Sequence, residues 1–264
     1  MKRLPALLGA VVIAMAVFIV VQARRIPPRP AAIAASDSTA PSDAAHVDTT
    51  GSRSGGESGL VSVKESKLPA PRRDLAEIQR RLADGESGTY VREIFLQRED
   101  NNARWPDRQL DPLRVWIQPS SALPDFHSSY PVRAREAFER WMRAGVPVAF
   151  TFVLDSASSD IPVVWIDHFD MPISGRTRWT HDQNWWIVGS SIEIALHHQS
   201  GAAIEAEAIY AIALHEVGHV LGLDHTQDDR SIMAARVRVR ELSDIDEHTA
   251  QLIYSIPPGS VSKP

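Results

Sequence analysis

Between positions 215 and 225 the chain reads HEVGHVLGLDH, which sets three histidines, a glutamate and a glycine at the spacing H-E-x-x-H-x-x-G-x-x-H. On an α-helix His215 and His219, four apart, project from one face, so their imidazoles can share one zinc ion at about 2.0–2.1 Å each. Glu216 is rotated from His215 by roughly 100°, which suits a base beside the metal better than a ligand. Gly222 can leave the helix with positive φ, a conformation most residues resist. The chain then turns back and delivers His225 as a third ligand. Three nitrogen ligands leave the fourth tetrahedral position open to water, as catalytic zinc sites do. Zinc lowers the pKa of such a water to about 7. Glu216 would take its proton as it attacks a peptide carbonyl and pass it to the leaving amine, while the metal stabilises the oxyanion. The expected chemistry is metal-assisted peptide hydrolysis. A histidine-rich buried helix without metal is the competing reading, and it leaves the separate role of each position unexplained.

The helix that must carry the first two histidines is expected from about Ala203 to Leu221. It is rich in alanine, leucine and isoleucine and has no proline. Ile204, Ala208, Ala211, Leu214 and Val217 or Gly218 recur at helical spacing, and Ile212, Val220 and Leu221 broaden the apolar surface, so the helix belongs in the core.

With these residues the chain resembles the metzincins and, within them, the matrixins, the group of the matrix metalloproteinases. The resemblance rests on HEVGHVLGLDH followed by Thr226, on Ser231-Ile232-Met233 placed shortly after His225, and on the closing segment ELSDIDEHTAQLIY. It covers roughly residues 105 to 256. It implies a zincin-like α+β domain: a mixed twisted sheet of about five strands, an active-site helix and a C-terminal helix. It also implies that Met233 is the Met-turn residue shaping the floor of the site, and that the substrate is a protein or peptide held extended in a cleft.

The sequence departs from that pattern in three places. Matrixins follow the methionine with Pro-x-Tyr, part of their main specificity pocket; this chain has Ala235-Arg236-Val237. A propeptide cysteine that blocks the zinc is excluded, because the chain has no cysteine. His168-Phe169-Asp170 and His181 partly match a second, structural zinc site, but the strand near Glu193 lacks the last histidine, so solvated loop histidines are expected. The acidic pairs Asp228-Asp229 and Asp155 with Asp160 could bind Ca2+, as matrixins often do, although solvated surface is the plainer reading.

The remaining elements are read from local pattern. Strands are expected at Leu113–Gln118, Val148–Leu154, Pro162–Ile166, Trp185–Val188 and Ser191–Leu196. A helix is expected at Val132–Ala144, with Phe138, Trp141 and Met142 on one face. In the last helix Ser243 is the N-cap and Asp246 completes a capping-box pattern. His197 and His198 are expected in a surface loop, and neither Trp185 nor Trp186 is assigned to substrate.

Ahead of this domain the composition changes twice. Lys2 and Arg3 precede an apolar run from Leu4 to Val21, so residues 1–25 read as a signal-anchor or a cleaved signal peptide. Residues 26–70 read as a disordered linker, Pro-rich at first and then rich in Ala, Ser and Gly. Residues 71–104 read as a helical pro-segment that covers the cleft or as a connector, and 257–264 as a tail. Export is therefore expected, with the catalytic domain membrane-anchored outside the cytoplasm or secreted. Residues 98–264 carry 15 Lys+Arg against 23 Asp+Glu, an acidic balance that argues against nucleic-acid binding. A monomer is expected. Two readings compete with a zinc endopeptidase: a non-catalytic zinc-binding protein-recognition module tethered to a membrane, and a metal-free anchored scaffold.

Overall fold

The computed structural model describes residues 60–262. The expectations for residues 1–25, and for the linker up to 59, lie outside them. No helix among the described residues is long and apolar enough to cross a membrane.

The described chain runs β1 (Leu60–Val63), α1 (Leu75–Gly85), α2 (Val91–Gln97), β2 (Asn101–Asn102), β3 (Arg108–Ile117), α3 (Tyr130–Met142), β4 (Val148–Phe152), a 3₁₀ turn (Ser156–Ser158), β5 (Ile161–Ile166), β6 (Gly175–His181), β7 (Ile187–Ala195), α4 (Ala206–Val220), α5 (Asp244–Ser255) and β8 (Gly259–Ser260). The fold class is α+β. Its main sheet has the order β1-β6-β7-β5-β3-β4, and β2 pairs with β8 in a separate ribbon. β4, β3, β5 and β7 are parallel; β6 is antiparallel to β7, and β1 is parallel to β6.

The sheet thus has six strands where about five were expected, and the differences have local causes. β6 reads GRTRWTH, which is too polar to signal a strand. It is held by its register with β7, where Thr177 faces Ile192 and Trp179 faces Ser190. The two strands expected at 185–188 and 191–196 are one, because Gly189, Ser190 and Ser191 continue the ladder with β6 rather than break it. β1 comes from the stretch read as linker, and β8 from the stretch read as tail.

The helices follow their sequences closely. α3 buries Tyr130, Ala134, Ala137, Phe138 and Trp141, the i, i+4, i+7 stripe of a core-facing helix. The indole N–H of Trp141 donates to the Leu214 carbonyl at 2.8 Å and so docks α3 on α4. α4 also packs on β6 and β7, and every residue from Ala213 to Val220 is buried. An apolar helix enclosed this way has its polar exceptions, His215, Glu216 and His219, held by tertiary contacts rather than by water. α1 and α2 join the same core through Ile78, Tyr90, Val91, Ile94 and Phe95.

Candidate metal centre

Helix α4 brings His215 and His219 together one turn apart, and the loop after it returns His225 to them. Gly222 makes that return possible: its φ is +92°, and a Cβ there would lie 2.4 Å from the Ala103 carbonyl oxygen. The three Nε2 atoms stand 3.1 Å (His215 to His219), 3.1 Å (His215 to His225) and 3.3 Å (His219 to His225) apart. Ligand atoms about 2.0–2.1 Å from a tetrahedral zinc stand roughly 3.3 Å from one another, so this triangle fits one face of such a site.

The tautomers point the same way. His215 Nδ1 lies 2.7 Å from the Ile232 carbonyl and His219 Nδ1 lies 2.9 Å from the Leu223 carbonyl. A carbonyl only accepts, so Nδ1 must carry the proton and Nε2 the lone pair. Burial holds all three imidazoles neutral. It pushes His215 down to about 4, helped by His225 nearby, and it lowers His219 well below and His225 below the usual histidine range. Converging lone pairs in a buried site repel one another unless a cation lies between them. Among the described residues these three histidines form the only group of three or more His, Cys, Asp or Glu placed to hold an ion.

Glu216 is 4% exposed and faces β6. The Thr177 hydroxyl lies 2.7 Å from its Oε2 and 3.0 Å from its main-chain carbonyl. A Cβ on Gly175 would fall 2.4 Å from Oε1. Fully buried Met233 sets its sulfur against α4, where a Cβ on Gly218 would lie 2.3 Å from Sδ. Sequence reasoning missed Gly175 and Thr177 and treated Gly218 only as part of an apolar face.

Other candidate residues stand elsewhere. His168 is half-exposed against Asp167. His181 is buried rather than solvated, stacked on Trp185 at 4.2 Å. His197 is also buried, between Asp167 and Asp125, while His198 is exposed. The acidic pairs considered for calcium have partners within the fold: Asp228 with Arg230, Asp229 with Arg238, Asp160 with Arg114, and Asp155 with the Ala157 N–H.

The family model described as matrixin matches residues 118–255, more than half of the chain. Metalloendoproteinase 2-MMP of Arabidopsis thaliana is 29% identical over 185 residues, 61% of this chain and 46% of that protein. Matrix metalloproteinase-C of Caenorhabditis elegans is 30% identical over 116 residues, 38% of this chain and 18% of that protein. The chain therefore spans less than half the length of these relatives. Among solved structures, myroilysin aligns with a TM-score of 0.38 at 13% identity, over 58% of this chain and 86% of that one.

Proposed function

The chain belongs to the matrixin family of zinc metalloendopeptidases, and on that premise we propose that it hydrolyses peptide bonds within polypeptides at the site built by α4 and the loop after it. The observation that carries this reading is the convergence of three Nε2 atoms, from buried His215 and His219 and half-buried His225, with Glu216 on the same helix turn. His215, His219 and His225 would hold the zinc. When bound, zinc supplies a Lewis acid that acidifies water and polarises a carbonyl.

The chain's own residues do the rest. The Ile232 and Leu223 carbonyls keep His215 and His219 in the tautomer that presents Nε2. The Glu216 carboxylate accepts the proton of the attacking water and returns it to the leaving amine. Thr177 holds that carboxylate through its hydroxyl, and Gly175 leaves the space it occupies. The apolar run at Leu4–Val21 supports export, so proteins or peptides outside the cytoplasm are the substrates proposed.

The test incubates the zinc-loaded 264-residue chain with a diverse peptide mixture and reads new termini by mass spectrometry, beside Glu216→Ala. Cuts are expected from the parent, reduced by at least about 10²-fold in the variant, with zinc content equal in both. Cuts undiminished in Glu216→Ala, or a parent that retains no zinc, overturn the reading. Zinc without cuts in either protein points to a binding module.

A further inference from the structure

The loop that carries His225 is held from behind by residues outside the segment that matches the family. Arg98, the residue following α2, is almost fully buried. Its Nε lies 2.5 Å from the Asp224 carboxylate, its Nη1 donates to the Gly222 carbonyl at 2.8 Å, and its guanidinium stacks 5.0 Å from the centre of the Trp179 ring. Gln97 Nε2 donates to the main-chain carbonyl of His225 itself at 2.9 Å. Glu93 accepts from the Thr226 hydroxyl at 3.0 Å and from the Gln227 N–H at 2.8 Å. Side chains from one short helix and its cap therefore grip positions 222, 224, 225, 226 and 227, on both sides of the third histidine.

The same loop also serves the second histidine, since the Leu223 carbonyl between two gripped positions accepts from His219 Nδ1. The hold is strong where it is deepest. A buried guanidinium that forks onto a carboxylate and a carbonyl fixes geometry as well as charge. Breaking one side of such a pair leaves the other charge buried and alone. Small displacements of a ligand loop matter because a metal site tolerates only a few tenths of an ångström in its bonds.

We propose that Arg98, Gln97 and Glu93 are positioning residues of the metal centre, so that α2 is a working part of the site rather than a removable segment that covers it. This rests on the zinc reading proposed above. Removing the chain before Trp105 would then weaken the centre, not release it.

The experiment measures zinc release to an excess chelator, well below the unfolding temperature, from the full chain and from Arg98→Met, Glu93→Ala, Gln97→Ala and Arg92→Ala. Arg92 lies on the exposed face of the same helix and pairs with Glu86, so it is the control. Cobalt(II) in place of zinc gives a visible spectrum that reports ligand geometry at 20 °C. Release about ten-fold faster or more is expected for Arg98→Met, with a smaller acceleration for Glu93→Ala and Gln97→Ala. The cobalt spectrum should change in the same order, and Arg92→Ala should match the parent. A purely structural role would lower Tm and leave release and spectrum alone, and that result overturns the proposal. Should Arg98→Met fail to fold, the half-buried and exposed positions 93 and 97 decide it. A parent that binds no zinc sinks the underlying reading and this one together; a parent that binds zinc with variants that release it at the same rate sinks this one only.

Discussion

At the residue scale, the position of the Glu216 carboxylate depends on what faces it across β6. Thr177 has one hydroxyl proton, which serves the carboxylate or the main-chain carbonyl of Glu216 at any moment, and the contact to the carboxylate is the shorter. Gly175 supplies the room. An alanine there places its Cβ 2.4 Å from Oε1, well inside van der Waals contact, so the carboxylate must swing away. Displacing a reacting group by about 1 Å can cost on the order of 10²-fold in rate. Gly175→Ala is therefore expected to lower kcat/KM by about that factor, with zinc content unchanged and Tm little moved. Steady-state kinetics with metal analysis checks this, and an unchanged kcat/KM would show that the carboxylate does not depend on that room. None of this is visible in the spacing of HEVGHVLGLDH. The motif exposes the residues because they lie within three helical turns of one another, whereas Thr177 and Gly175 meet Glu216 only through a sheet-to-helix contact about forty residues long in sequence.

At the scale of elements, the start of α5 does more than cap itself. Asp246 is fully buried. It accepts from the Ser243 N–H at 2.9 Å, as the capping pattern in the sequence anticipates, and also from the Ser243 hydroxyl at 2.6 Å. It also accepts from the Ser231 hydroxyl and, at 3.1 Å, from the Ile232 N–H. The Ile232 peptide in turn accepts from His215 Nδ1. One carboxylate thus joins a helix terminus to the turn that orients a histidine of the site. Asp246→Asn would set an amide N–H₂ against donors in a buried place, at a cost of roughly 1–3 kcal/mol for each group left unmatched. At about 2–4 °C per kcal/mol for a domain of this size, Tm should fall by about 5–10 °C in thermal unfolding. A loss under about 2 °C would show that the site repacks freely. The capping half of this arrangement was legible because it spans three residues. The half that reaches the turn was not, since Ser231 and Asp246 meet only after α5 folds back. The strands divide in the same way: β4, β5 and the second half of β3, from Leu113, signal themselves through apolar residues buried on a regular period, while the polar start of β3 at Arg108 and β6, rich in Arg and Thr, give no such signal.

Across the whole molecule, the connections that leave the C-terminal ends of β3, β5 and β7 are drawn together by one histidine. His197 follows β7, Asp167 follows β5 and Asp125 lies between β3 and α3. His197 Nδ1 lies 2.7 Å from Asp167 and Nε2 lies 3.0 Å from Asp125. Both ring nitrogens face carboxylates, so the imidazolium is the form that satisfies both. Asp125, and then Asp167, raise the His197 pKa above its usual value against the opposing effect of burial. His168, and then His197, lower that of Asp167. The signs fix the pH window. A raised histidine contributes its stability fully below its unfolded pKa of about 6.5 and loses it as pH rises through the higher folded value. A depressed carboxylate contributes above its unfolded pKa of about 3.9 and loses it as pH falls through the lower folded value. The three-way tie is therefore strongest between about pH 4 and 6.5 and weakens above that range. His197→Gln keeps hydrogen-bonding capacity without the charge. The Tm difference between parent and His197→Gln should be widest near pH 5–6 and shrink towards pH 8–9. It should also shrink in high salt, because Asp125 and Asp167 are half-exposed or more and the attraction is screened there. A difference that stays constant across that pH range would mean that hydrogen bonding alone, not the imidazolium, holds these connections together.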